Sequence, residues 1–140
     1  MKLAPLVILS LSTLLFACSN ESNTNTESVM QTIELQDLQK EWQLVSIDNN
    51  NIDTKSSLTV DAQAKATGNL ACNHFFGTLA LQENKLRIEK MGSTRKMCAP
   101  EVNNVEMSVS STLSNWSEIH ISDQKLTLTG EEHTLVYRIK

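Results

Sequence analysis

Three cysteines, Cys18, Cys72 and Cys98, are the residues of this chain with the most distinctive chemistry open to them. A thiol can be acylated, oxidised to a disulfide or bound to a metal, and its sequence context separates these fates. Cys18 ends an apolar run, directly after Leu15-Phe16-Ala17, where a small residue before cysteine fits the site at which a lipoprotein is lipidated and cleaved. Cys72 lies in Gly68-Asn69-Leu70-Ala71-Cys72-Asn73-His74-Phe75-Phe76-Gly77, and Cys98 ends Met91-Gly92-Ser93-Thr94-Arg95-Lys96-Met97-Cys98. In an oxidising compartment, two cysteines left in one small domain most simply form a Cys72–Cys98 disulfide. The alternative is a soft-metal site using Cys72, His74 and Cys98, for which no fourth ligand is evident. Around the cysteines, Asn73, Phe75, Phe76, Thr94 and Arg95 are candidate binding-loop residues. The Arg95 guanidinium would capture a carboxylate or phosphate, or enter a structural ion pair; Asn73 would tie a loop to backbone.

Other constellations are missing. No serine sits in a G-x-S-x-G elbow, no phosphate-binding G-x-x-x-x-G-K-[ST] loop occurs, and the adjacent carboxylates Glu131-Glu132 point apart in an expected turn. His120 and His133 are expected on solvent-facing strand or turn surfaces. These gaps favour a protein that is not an enzyme and needs no cofactor. A net charge of -4 without a basic cluster disfavours nucleic acid as a partner.

The segments that must position these residues divide the 140-residue chain into three. Residues 1–17, with Lys2 followed by an apolar run from Leu3 to Ala17, form a lipoprotein signal peptide; that run would rise only about 22 Å as a helix, short of a bilayer core. Residues 18–31 comprise the lipidated Cys18 and a polar tether. Ser19 after Cys18, rather than Asp, directs such a lipoprotein to the outer membrane, with its domain facing the periplasm and its lipid as the membrane contact. Residues 32–140 form the folded domain, a monomer of mainly β class. Alternating apolar pairs such as Leu79/Leu81, Leu86/Ile88, Ile119/Ile121 and Leu126/Leu128, then Leu135/Tyr137/Ile139, predict a strongly curved antiparallel sheet or small barrel of about seven or eight strands. Val102, Val105, Val109, Leu113 and Trp116 after Pro100 predict one covering helix. Gly68 and Gly77 would serve positive φ or close strand approach.

The two cysteine-bearing stretches, with Trp42-Gln43-Leu44 before them and Leu126-Thr127-Leu128 after, resemble the META domain, and more closely the HslJ-type heat-shock lipoproteins. The likeness covers about residues 40–139. Ala71 departs from a glycine common before the first cysteine of the family. The resemblance implies a barrel-like domain with one helix, a linked Cys72–Cys98 pair and no established catalytic residues. It also implies a non-enzymatic role in the envelope and heat stress response, associated with novobiocin resistance. A periplasmic module binding an envelope protein, polymer or small ligand is the alternative.

Overall fold

A computed structural model describes residues 32–140; the expected signal peptide, Cys18 and the tether lie outside the described residues. In chain order the elements are α1 (Leu35–Leu38), β1 (Glu41–Ile47), β2 (Asn50–Asn51), β3 (Ser57–Val60), β4 (Lys65–Asn69), β5 (His74–Gln82), β6 (Lys85–Ser93), α2 (Pro100–Ser114), β7 (Ser117–Ser122), β8 (Lys125–Thr129) and β9 (Thr134–Ile139). All strand pairings are antiparallel. Because β1 pairs with β3 along one edge and with β9 along the other, eight strands close into a barrel, and the two-residue β2 is an extra strand on β1. Closure leaves few unpaired strand edges, which is how a small all-β domain avoids edge-to-edge association.

Period-two alternation fills the barrel. Trp42, Leu44, Leu58, Val60, Phe75, Leu79, Leu86, Ile88, Leu126, Leu128, Leu135 and Tyr137 all point inward and are buried. Burial pushes the Tyr137 phenol far above its ordinary range, so it stays neutral at any physiological pH. At one end of the barrel, Leu38 of α1 is fully buried, and the Trp42 indole Nε1 donates to the Leu38 carbonyl at 3.1 Å. The β1–β2 and β7–β8 turns each place two successive residues at positive φ, Asp48-Asn49 and Asp123-Gln124, as tight hairpins require.

One seam is nearly open. Strands β6 and β7 share only the pairs Lys85↔Glu118 and Leu86↔Ser117. The chain between them forms α2, which begins at Pro100 with Glu101 in its first turn and buries Val109, Thr112 and Leu113. Ser117 Oγ donates to the Thr112 carbonyl at 2.8 Å, satisfying the end of the helix as the chain re-enters the barrel.

Strand β4 carries almost no sequence signal. Of Lys65-Ala-Thr-Gly-Asn only Ala66 is buried. It exists because β3 and β5 flank it, and Gly68 lets them close in: a Cβ there would collide with the Ser57 carbonyl and the Phe75 ring. With β4 in place, β5 extends back to His74. Phe75 and Phe76 therefore belong to a strand, not to a loop.

Candidate functional site

The two sequence stretches meet where β5 begins and where the 94–98 segment leads into α2. Cys72 and Cys98 are disulfide-bonded across a separation of 26 residues, with Cα atoms 6.1 Å apart. Each sulfur is thus committed to the other, which removes the Cys72/His74/Cys98 metal reading at its two thiolates.

Asn73 is the centre of this junction. It is buried, and its side chain uses its full hydrogen-bonding capacity. The amide Nδ2 donates to the Lys96 carbonyl at 3.2 Å and to Glu106 Oε1 at 2.8 Å. The Oδ1 accepts from Lys96 N–H at 2.6 Å and from Thr94 Oγ1 at 2.8 Å. Glu106, on α2, also accepts from the backbone N–H groups of Asn73 at 2.7 Å and Cys72 at 3.1 Å, both on Oε2. One carboxylate thereby receives three donors, and helix, strand and disulfide loop are joined by charge-assisted hydrogen bonds. Asn103 Nδ2 adds a bond to the Cys98 carbonyl at 3.0 Å. Glu106 had no local signal in the sequence; among the helix's alternating valines it reads as an ordinary surface acid.

The remaining candidates separate by environment. Phe75 is 3 % exposed and belongs to the core, so it supplies no anchor for a partner. Phe76 is 59 % exposed on the outer wall, with its ring against Gly92, where a Cβ would meet the ring. Thr94 is exposed but donates inward to Asn73. Arg95 is exposed and enters neither an ion pair nor a side-chain hydrogen bond among the described residues, contrary to the structural ion pair considered for it. Ala71 has φ 151°, a region that glycine occupies without penalty. Ala71→Gly is expected to raise unfolding stability by about 1 kcal/mol, read from a denaturant midpoint; an unchanged or lower midpoint would refute the strain.

A second cluster joins the β1–β2 turn to β9 and α2. His133 is half-buried rather than solvent-facing: its Nδ1 lies 2.7 Å from Asp48 Oδ2 and its Nε2 3.2 Å from Ser108 Oγ. The order Ser–His–Asp has the connectivity of a hydrolase relay. Ser108, however, sits in the middle of α2, where its own N–H belongs to the helix, and among the described residues its hydroxyl is bonded to the His133 ring alone. The cluster works as a staple. Thr134 N–H donates to Asp48 Oδ1 at 2.8 Å, and this bond first, the His133 bond second, holds the Asp48 carboxyl below its ordinary value of 3.8. A depressed carboxyl stabilises the fold above its unfolded value and loses that contribution as pH falls through the folded one. Asp48→Asn, which tolerates the turn's positive φ, is therefore expected to lower the Tm at neutral pH, and the gap to the parent should close as the pH drops below 3.8. A constant gap across that range would exclude the carboxylate as its source.

Among the described residues no group of three His, Cys, Asp or Glu side chains is placed to hold a metal ion, and no helix is long and apolar enough to cross a membrane. A family model for the META domain matches residues 33–140, the whole of the barrel. The chain belongs to the META domain family. This META domain is 30 % identical over 69 residues to heat shock protein HslJ of Escherichia coli strain K12, a match covering 49 % of each chain. It thus spans about half the length of that curated relative and is HslJ-like at low identity. Two NMR structures share the fold: one has a TM-score of 0.68 at 23 % identity over 76 % of this chain and 95 % of its own, and a protein from Burkholderia xenovorans has 0.62 at 22 %, over 76 % and 86 %. Within this META domain the motif residues Gly68, Cys72, Asn73 and Phe75 all have architectural partners.

Proposed function

We propose that this META domain protein is a non-enzymatic lipoprotein of the envelope and heat stress response, held by a lipid on Cys18 to the periplasmic side of the outer membrane as a monomer. The observation that carries the reading is the junction at Asn73. The residues with the most chemical potential are consumed in a disulfide and a closed hydrogen-bond network, an arrangement suited to an oxidising compartment and to keeping a small barrel folded under stress. The likeness to HslJ supports a heat-shock connection, and the run from Leu3 to Cys18 supports lipid attachment. Two acyl chains would hold the domain at the bilayer with no protein span.

A strain lacking the gene is expected to lose survival at raised temperature and to become more sensitive to novobiocin. The wild-type chain should restore both, and Cys18→Ala should fail to incorporate a fatty-acid analogue. Unchanged heat survival and drug sensitivity in the deletion strain would refute the stress role. Equal labelling of Cys18→Ala and its parent would refute the anchor.

A further inference from the structure

On the outer wall of the barrel, a concavity of about 490 Å³ runs across β1, β3, β4 and β5. Strand register puts Gln43, Ser57, Asn69 and His74 side by side in one row on this face. Thr67 belongs to the neighbouring outward row, next to the exposed Phe76. Between these rows, Trp42, Leu58, Gly68 and Phe75 form the row that points into the core.

Most polar side chains here are uncommitted among the described residues. The hydroxyls of Ser57 and Thr67, the Asn69 amide NH2 and the His74 ring make no side-chain hydrogen bond among the described residues. Gln43 spends its Nε2 on the Ser56 carbonyl at 2.8 Å, which leaves its Oε1 free to accept. Asn69 Oδ1 is already taken by Ala71 N–H at 2.8 Å, fixing its NH2 outward. Two lysines border the cleft. Lys140 is neutralised by Glu41 at 2.8 Å, whereas Lys55 has no acidic partner among the described residues. On a chain of net charge -4, this leaves one unpaired cation, Lys55, beside neutral donors and acceptors spaced by the strand separation of about 4.8 Å.

We propose that this cleft binds an acidic glycan: a chain of pyranose units whose hydroxyls pair with the Gln43–Ser57–Asn69–His74 row and whose carboxylate meets Lys55. Mixed amide, hydroxyl and imidazole groups match sugar hydroxyls, which both donate and accept. A protein partner fits less well. The backbones of its strands are already paired with one another, leaving no edge for an added peptide strand. This site adjoins the Asn73 junction through the His74 N–H, which donates to Thr94 Oγ1 at 3.2 Å, and its ligand neither requires nor follows from the stress-response reading.

The test is a titration of the isotope-labelled full chain, followed by amide chemical shifts, with three probes: a six-unit oligogalacturonate, its neutral methyl ester, and poly-glutamate of matched charge. Oligogalacturonate at millimolar concentration is expected to shift the amides of Gln43, Ser57, Asn69 and His74. Lys55→Gln, or use of the methyl ester, should weaken binding about three- to fivefold, as loss of one solvent-exposed ion pair implies. Ser57→Ala should weaken it a few-fold with the fold intact. Equal binding of poly-glutamate would overturn the sugar assignment in favour of charge alone. Shifts confined to other surfaces, or none, would overturn the site.

Discussion

Replacing Asn73 with alanine is expected to cost about 3–5 kcal/mol of unfolding free energy, the largest effect of any single polar substitution in the domain. The magnitude follows from what the substitution strands. The Lys96 N–H and carbonyl and one Glu106 oxygen lose their partner together, and each polar group left unpaired at this part-buried site costs about 1 kcal/mol or more, toward about 3 kcal/mol where water is kept out. Volume change adds little beside that. Asn73→Asp separates the two contributions, because it keeps the size and the acceptor while turning a donor into a second carboxylate within hydrogen-bond distance of Glu106; it should be at least as damaging at neutral pH. Glu106→Gln should fall between parent and Asn73→Ala, since a neutral amide cannot accept all three donors with charge assistance. The measurement is a denaturant midpoint at unchanged slope. A loss under about 1 kcal/mol for Asn73→Ala would mean that water replaces the network, and the junction would add little to the stability of the barrel.

The ease of reading this fold from sequence tracks where each residue's stability comes from. Strands β7, β8 and β9 have two or three apolar side chains on one face and short polar turns, so their alternation states both their existence and their inner side. The helix after Pro100 is equally legible from its three- and four-residue steps, and it ends at Ser114. Strand β4 was not legible, because its pairing comes from neighbours and from space made by a glycine rather than from its own side chains. Missing β4 is what turned Phe75 and Phe76 into loop residues. At the junction, the cysteine pair and Asn73 stood out by type, yet Glu106 is separated from Asn73 by 33 residues and nothing local marks it. The Asp48–His133 bond spans 85 residues and was hidden for the same reason. Long-range polar partners become visible only once the barrel has brought their elements together.

Removing the disulfide by the paired change Cys72→Ala and Cys98→Ala is expected to lower stability by about 3–4 kcal/mol, the unfolded-state entropy that a closed loop of this length removes. In a domain whose whole margin is of the order of 5–15 kcal/mol, this should shift the Tm by more than 10 °C without abolishing the barrel. The barrel should survive because the cross-link is not the sole tie between the 94–98 segment and β5. Asn73 bonds Lys96 twice and accepts from Thr94, while Glu106 holds the Cys72 and Asn73 backbone from α2, so in the alanine pair the Asn73 side-chain amide protons should remain protected from exchange. Loss of that protection at a temperature where the barrel is still folded would show that the sulfur bridge positions the network rather than merely reinforcing it. Adding Asn73→Ala to the alanine pair discriminates further. If both devices hold the same segment, the combined loss should fall short of the sum of the separate losses by about 0.5–3 kcal/mol, since a segment already released by one change has less left to lose from the other. Strict additivity would assign the disulfide to the unfolded chain alone and the Asn73 network to the folded barrel alone.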